Sequence, residues 1–465
     1  MGWFSQIADK INNIFISGGT NTFNTGFDAA GVAQIVAASH GVTDKQSIDA
    51  ITQAIKAIGT TNATPSQIKA ALEALQTGDA KKAAALFEKE TERTELAAKE
   101  GAEAYRNLGA LAFLDDTQKS LKAYRRATQL DPENADGWNR LGRLLQRTGE
   151  LDEAINAYQT VLRLGQEHKN QQEIAVAYGN LGEVYRIRGD LDKAVEYYNK
   201  GLKIDEELGR KEGIAAKYGN LGVVYQTRGD LDKAVEYYNK ALEIGKELGN
   251  KERIAIQYGN LGIVYKTRGD LDKAVEYYNK ALEIDESLGN KEGIARHYGN
   301  LGIVYQTRGD LDKAVEYYNK ALEIGKELGN KEGIAIQYGN LGIVYQTRGD
   351  LDKAVEYHNK ALKISEGLGD KEKMAAIYGN LGIVYKTRGD LDKAVEYYHK
   401  SLKIEESLGH KEGMAIQFNN LAALYKTKKD YKQAREYWEK SLALFQALGS
   451  PNAKRVQSDL DRLPR

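Results

Sequence analysis

The chain of 465 residues contains no cysteine. Disulfides, thiol catalysis and cysteine-ligated zinc are thereby excluded, and the composition fits a reducing compartment. Nor does either sign of charge dominate: Lys plus Arg and Asp plus Glu number 66 each. That balance argues against a general nucleic-acid surface or a polybasic membrane surface. No run of about 18 apolar residues occurs, so no transmembrane helix is expected. The first residues lack the basic region and apolar core of a secretory signal. Gly2 is followed by Trp3, and Gln6 stands where a myristoylation motif needs Ser or Thr. These absences predict a cytoplasmic protein.

Catalytic chemistry is equally sparse. The six histidines, His40, His168, His297, His358, His399 and His410, form no HExxH or paired-ligand motif. His358 and His399 replace a consensus Tyr and Asn in a repeated helix and read as neutral substitutions. The glycines of Ser17–Gly26 are not followed by Gly-Lys-Ser/Thr, so a phosphate-binding loop is not supported. No Ser/His/Asp arrangement can be specified. A non-enzyme without metal or cofactor is expected.

What the sequence does contain is repetition. Residues 178–417 are six tandem, nearly identical copies of a 40-residue unit, and the register extends forward to Phe418 and back to Trp138. A period of this length indicates a solenoid, because one unit cannot bury its apolar face alone. Ile254, Tyr258, Leu261, Val264 and Tyr265 recur at helical spacing and define helix A. Arg268-Gly269-Asp270 breaks it, with Asp270 placed to N-cap helix B and Asp272 favourable near its positive end. Helix B carries Leu271, Ala274, Tyr278, Ala281 and Ile284 on one face and stops at the glycine of Leu288-Gly289-Asn290. Gly262 and Ala281 are small where the two helices must approach. The Arg-Gly-Asp triplet matches an adhesion motif, but its place in the inter-helix turn favours a structural role.

This pattern resembles the tetratricopeptide repeat. The family's aromatic, Leu-Gly, Tyr, Ala, aromatic, Ala positions are filled by Tyr258, Leu261-Gly262, Tyr265, Ala274, Tyr278 and Ala281. A unit longer than the usual one of about 34 residues, together with YGNLG and an LGN turn, looks like the longer-helix branch of LGN/Pins adaptors and kinesin light chain. Asn419–Tyr425 (NNLAALY) is especially similar to the latter. The resemblance implies an all-α, right-handed superhelical solenoid of antiparallel helix pairs, with a small helical N-terminal region and a C-terminal capping helix.

Outside the uniform array, residues 1–16 form an amphipathic helix with Trp3, Phe4, Ile7, Ile11, Ile14 and Phe15 on one side. It would dock on its own domain or on a second copy of the chain, giving self-association. A membrane-interface role is the alternative, weakened by a polar face with one Lys against one Asp. Residues 17–27 read as a flexible linker and 28–63 as a short helical module. Residues 64–97 read as a degenerate repeat, 98–450 as the array and 451–465 as the capping helix. In that last helix Ser450-Pro451 form the start, with Val456, Leu460 and Leu463 inward.

One set of residues needs a functional reason: Asn180, Asn220, Asn260, Asn300, Asn340, Asn380 and Asn420, each preceded by Gly except Asn420. Asn is a poor helix-interior residue, and Gly there costs about 1 kcal/mol relative to Ala. The resemblance places this position on helix A facing a concave groove, where Asn side chains clamp an extended peptide backbone. The adjacent Gly would let that backbone approach. The alternative is inherited Asn-Gly whose amides bond only within the solenoid. Val223, Ile263, Ile303, Ile343 and Ile383 share the face one turn later, Ile256, Ile336 and Ile416 one turn earlier, and Thr227 to Thr387 beyond. Glu183, Arg296 and Arg140 interrupt this neutral surface and could set ligand register. The expected function is a non-catalytic protein- or peptide-binding scaffold without nucleic-acid partners. The alternatives are a ligand-responsive regulator and a self-assembling structural protein, both acting through residues 1–63.

Overall fold

The computed structural model describes residues 98–464 except Leu114 and Asp115, and before them Ala70, Ala74, Asp79, Lys82, Ala85 and Leu86. The expectations for residues 1–63, and nearly all of the degenerate repeat at 64–97, lie outside the described residues. Two compact units divide the chain at Gly209 and Arg210. The first contains α1 (Ala98–Ala112), α2 (Thr117–Leu130), α3 (Ala135–Thr148), α4 (Leu151–Glu167), α5 (Gln171–Ile187) and α6 (Leu191–Glu207). The second opens with α7 (Lys211–Thr227), α8 (Leu231–Glu247), α9 (Lys251–Arg268) and α10 (Leu271–Leu288). It continues with α11 (Lys291–Arg308), α12 (Leu311–Glu327), α13 (Lys331–Thr347), α14 (Leu351–Leu368) and α15 (Lys371–Arg388). Helices α16 (Leu391–Leu408), α17 (Lys411–Thr427), α18 (Tyr431–Ala447) and α19 (Asn452–Asp461) complete it. No strand occurs among the described residues. Within each unit consecutive helices pack in series, giving an all-α solenoid of antiparallel pairs.

One repeat explains the rest. Helix α9 ends on Gly269, whose φ of +82° is the left-handed conformation that glycine adopts without strain. The Asp270 carboxylate then accepts from the Lys273 amide at 3.2 Å and caps α10. Arg268 pairs with Asp232 of the preceding repeat, and Arg308 with Asp272, so the same edge contact recurs. Each member of the Arg-Gly-Asp triplet thus has a structural task. At the other turn Gly289 is left-handed, and Asn290 accepts from the Gly293 amide to cap α11.

Gly262 lets the two helices close: a Cβ there would lie 2.6 Å from the ring of Tyr278, which is fully buried. Between repeats, Ala234, Tyr238 and Leu242 of α8 enclose Leu261 and Val264 of α9. A second aromatic layer stacks Tyr265 on Tyr277 at 5.2 Å, with the Lys273 ammonium 5.0 Å from the Tyr265 ring. Such pairs contribute about 0.5–1.5 kcal/mol beyond area burial. The last pair is covered by α19, whose Val456 is buried with Trp438, Phe445 and Leu463.

Candidate functional site

The face left open by this packing is a stripe along every helix A. In α9 the burial of Leu261 and Val264 turns Ile256, Asn260, Ile263 and Thr267 toward the other side, at successive turns of one helix. Ile256, Ile336 and Ile416 are 47%, 43% and 41% exposed, unusual for isoleucine. Ile383 is exposed as well. Ile263 and Ile303 are half-buried and pack against the cores between repeats. Ile343 is also half-buried.

The asparagines divide into two groups. Asn220, Asn260, Asn300, Asn340 and Asn380 are half-buried, and their side chains make no hydrogen bond among the described residues. Those at the flanks are engaged: Asn180 donates to Asn139 Oδ1 at 2.7 Å in the first unit. Asn420 donates to Gln417 Oε1 at 3.3 Å in the second. Asn139 is a site neighbour that periodicity did not single out, because it stands one residue before the ladder position held by Arg140. The threonines are satisfied, Thr227, Thr267, Thr307, Thr347 and Thr387 each donating to the carbonyl four residues earlier.

At three of the ladder positions the glycine before the Asn also closely faces a polar side chain of the next helix A, whereas Gly339 has open space around it. A Cβ on Gly259 would lie 2.9 Å from His297 Cε1 of the next helix A, and Gly299 and Gly379 meet Gln337 and Gln417 at 3.2 Å. His297 is itself buried and contacts the buried Asp285 carboxylate at 3.1 Å. These glycines therefore admit a polar side chain between adjacent repeats.

The charges singled out in the sequence differ in state. Glu183 accepts from Arg186 at 2.6 and 2.8 Å and from the Tyr198 hydroxyl at 2.7 Å. Burial pushes the Tyr198 pKa up, and the Glu183 carboxylate adds to the shift. Arg140 donates to Asp136 at 2.7 Å. Arg296 is exposed and has no ion pair or hydrogen bond among the described residues. No described helix is long and apolar enough to cross a membrane, and no described acidic, His or Cys group could hold a metal ion.

Stacked helix pairs with a half-open, polar-spined helix-A face define an interaction repeat. The tetratricopeptide repeat family matches residues 133–207, 213–287, 258–327, 293–367, 333–407 and 373–447, and the chain belongs to it. Repeats of this family are typically non-catalytic scaffolds for protein interaction. The match establishes the repeat and not the LGN/Pins or kinesin-light-chain branch. No curated protein matches the chain in sequence. Among solved structures, the signal transduction ATPase PH0952 of Pyrococcus horikoshii, with a tetratricopeptide repeat sensor, has a TM-score of 0.56 at 16% identity. That similarity covers 97% of this chain and 69% of that one. The apo quorum sensor NprR of B. thuringiensis gives 0.53 at 16% identity, over 75% of this chain and 99% of that one. BtubC (BKLC) of P. vanneervenii is 27% identical over 47% of this chain and 92% of that one, with a TM-score of 0.43. These similarities are of fold.

Proposed function

We propose that the protein is a non-catalytic, cytoplasmic scaffold whose helix-A face clamps a peptide segment of a partner protein through its asparagine ladder. The observation carrying this reading is the row of amides from Asn220 to Asn380 that make no hydrogen bond within the solenoid. An amide offers both donor and acceptor and matches a peptide group whatever the ligand's sequence. Ile263, Ile303, Ile343 and Ile383 border the row, Asn420 continues it within the second unit, Asn180 is the equivalent residue of the first unit, and Arg296 supplies a sequence-dependent contact. In the first unit Glu183 and Arg140, already paired with Arg186 and Asp136, would shape that unit's own helix-A face more than they attract a charge. Residues 1–16 would serve self-association.

Adjacent helices pack about 8–10 Å apart, and an extended chain rises about 3.3 Å per residue. One clamp then serves roughly three ligand residues, and Asn220 to Asn380 would grip about a dozen. A net ~0.5–1.5 kcal/mol per hydrogen bond means that one Asn→Ala weakens binding several-fold. Replacing Asn260, Asn300 and Asn340 together should cost about 2–4 kcal/mol. The test selects binding peptides from a random display library and compares their affinities for the wild type and this triple variant. Unchanged affinity in a triple variant with native helicity and melting would refute the clamp.

A further inference from the structure

The position one turn before each ladder asparagine carries a second pattern. Along α9, α11, α13, α15 and α17 it reads Ile256, Arg296, Ile336, Ala376 and Ile416. The three isoleucines and Arg296 are all exposed, and Arg296 has no partner among the described residues. Along one edge the arginines are neutralised: Arg268, Arg308, Arg348 and Arg388 pair with Asp232, Asp272, Asp312 and Asp352. On the open face, by contrast, Arg296 places an unpaired guanidinium between two exposed aliphatic side chains.

We propose that the occupant of this face is an extended peptide with an Asp or Glu opposite Arg296 and aliphatic side chains about three residues to either side of it. This rests on the backbone-clamp reading. The amides require unpaired main-chain groups, which an extended chain offers and a helix has already used internally. The planar guanidinium favours a carboxylate, to which it can donate two parallel hydrogen bonds. A polyanion such as nucleic acid would need a row of cations, and Arg296 is flanked by isoleucine in both neighbouring repeats. With on the order of 10 Å per repeat and about 3.3 Å per ligand residue, the spacing from Ile256 to Arg296 and from Arg296 to Ile336 is about three residues each. Ile416, two repeats beyond Ile336, adds a third aliphatic site about six residues further along.

The full-length chain is panned against a random 13-residue peptide display library, and the binding of enriched synthetic peptides is measured by fluorescence anisotropy. The expected peptides carry Asp or Glu with an aliphatic residue three positions away on each side. Arg296→Glu, on an exposed position, should weaken them at least about tenfold. Changing the peptide's acid to Lys should restore much of that loss in the variant and not in the wild type. If enriched peptides depend on Asn260, Asn300 and Asn340 but show no acidic preference, or are indifferent to Arg296→Glu, the acidic motif is wrong and the clamp stands. If no peptide is enriched, or binding ignores the asparagines as well, the clamp fails and the motif falls with it.

Discussion

At position 358 the array has histidine where the other repeats place a tyrosine or tryptophan in the core of helix B. Tyr238 and Tyr318 span the repeat and donate through their hydroxyls to Gln226 and Gln306, at 2.9 and 2.7 Å. His358 occupies the same slot against Gly342, fully buried, and neither ring nitrogen has a hydrogen-bond partner. Burial alone pulls its pKa down to about 4. Because the unfolded chain takes up the proton near pH 6.5, stability is intact above that pH and falls as the pH drops toward 4. A shift of this size corresponds to a loss of about 3 kcal/mol at its full extent. In His358→Tyr the hydroxyl should reach Gln346, which stands where Gln226 and Gln306 accept in their repeats. Its stability advantage over the wild type should be about 1 kcal/mol at pH 7 and should widen at pH 4.5. Urea denaturation at the two pH values measures this, and a constant difference would contradict it.

Among the elements, the helix pairs and their caps were legible because each depends on residues close in sequence. Asp270, Gly289 and the covered faces of α9 and α10 follow from spacing and capping chemistry alone. The Glu183–Arg186 pair is also at helical spacing, but a comparison between repeats shows Glu183 only as a break in the neutral stripe and not its partner one turn along the helix. The reason for Gly259 was not legible. It depends on His297 of the next helix A, and that adjacency exists only once the repeats are stacked. The edge pairs show the same limit, and they separate two carboxylates that look alike. Asp270 accepts the first-turn amide of α10, and Asp270→Ala should cost about 1 kcal/mol. The Asp272 carboxylate, paired with Arg308, remains 95% exposed, so solvent and salt screen the pair. Asp272→Asn should leave the urea midpoint within experimental scatter. A larger loss from Asp272→Asn than from Asp270→Ala would reverse the assigned roles.

On the scale of the whole molecule, the near-identical repeats of the second unit are distinguished by the side chains at their joints. The α10–α11 joint holds the buried Asp285 carboxylate, which contacts His297 and accepts from Asn290 at 2.9 Å. Gly293 makes room for it: a Cβ there would fall 2.0 Å from Asp285 Oδ2. At the α14–α15 joint Ser365 is the small residue, and Lys373 stands at the place of Gly293. Deleting residues 291–330 would bring α13 onto α10 with Gly333 facing Asp285 and Gln337 in place of His297, an arrangement that keeps both the space and a donor. Deleting 291–370 would instead set the Lys373 Cβ against the held carboxylate, and overpacking of that kind typically costs about 1–3 kcal/mol. Stability in such arrays is largely a sum of repeats and nearest-neighbour joints. The single-repeat deletion should therefore melt close to the wild type, and the double deletion distinctly lower than loss of length alone explains. The shorter gap also changes the face. Without Arg296, Ile256 and Ile336 lie on successive repeats, so the preferred peptide should lose its acid and bring its aliphatic residues to about three positions apart. Thermal melts and peptide display on the two deletion variants read both consequences. A single-repeat deletion that fails to fold, or that still selects the acidic peptide, would show that neither the joints nor the face can be decomposed repeat by repeat.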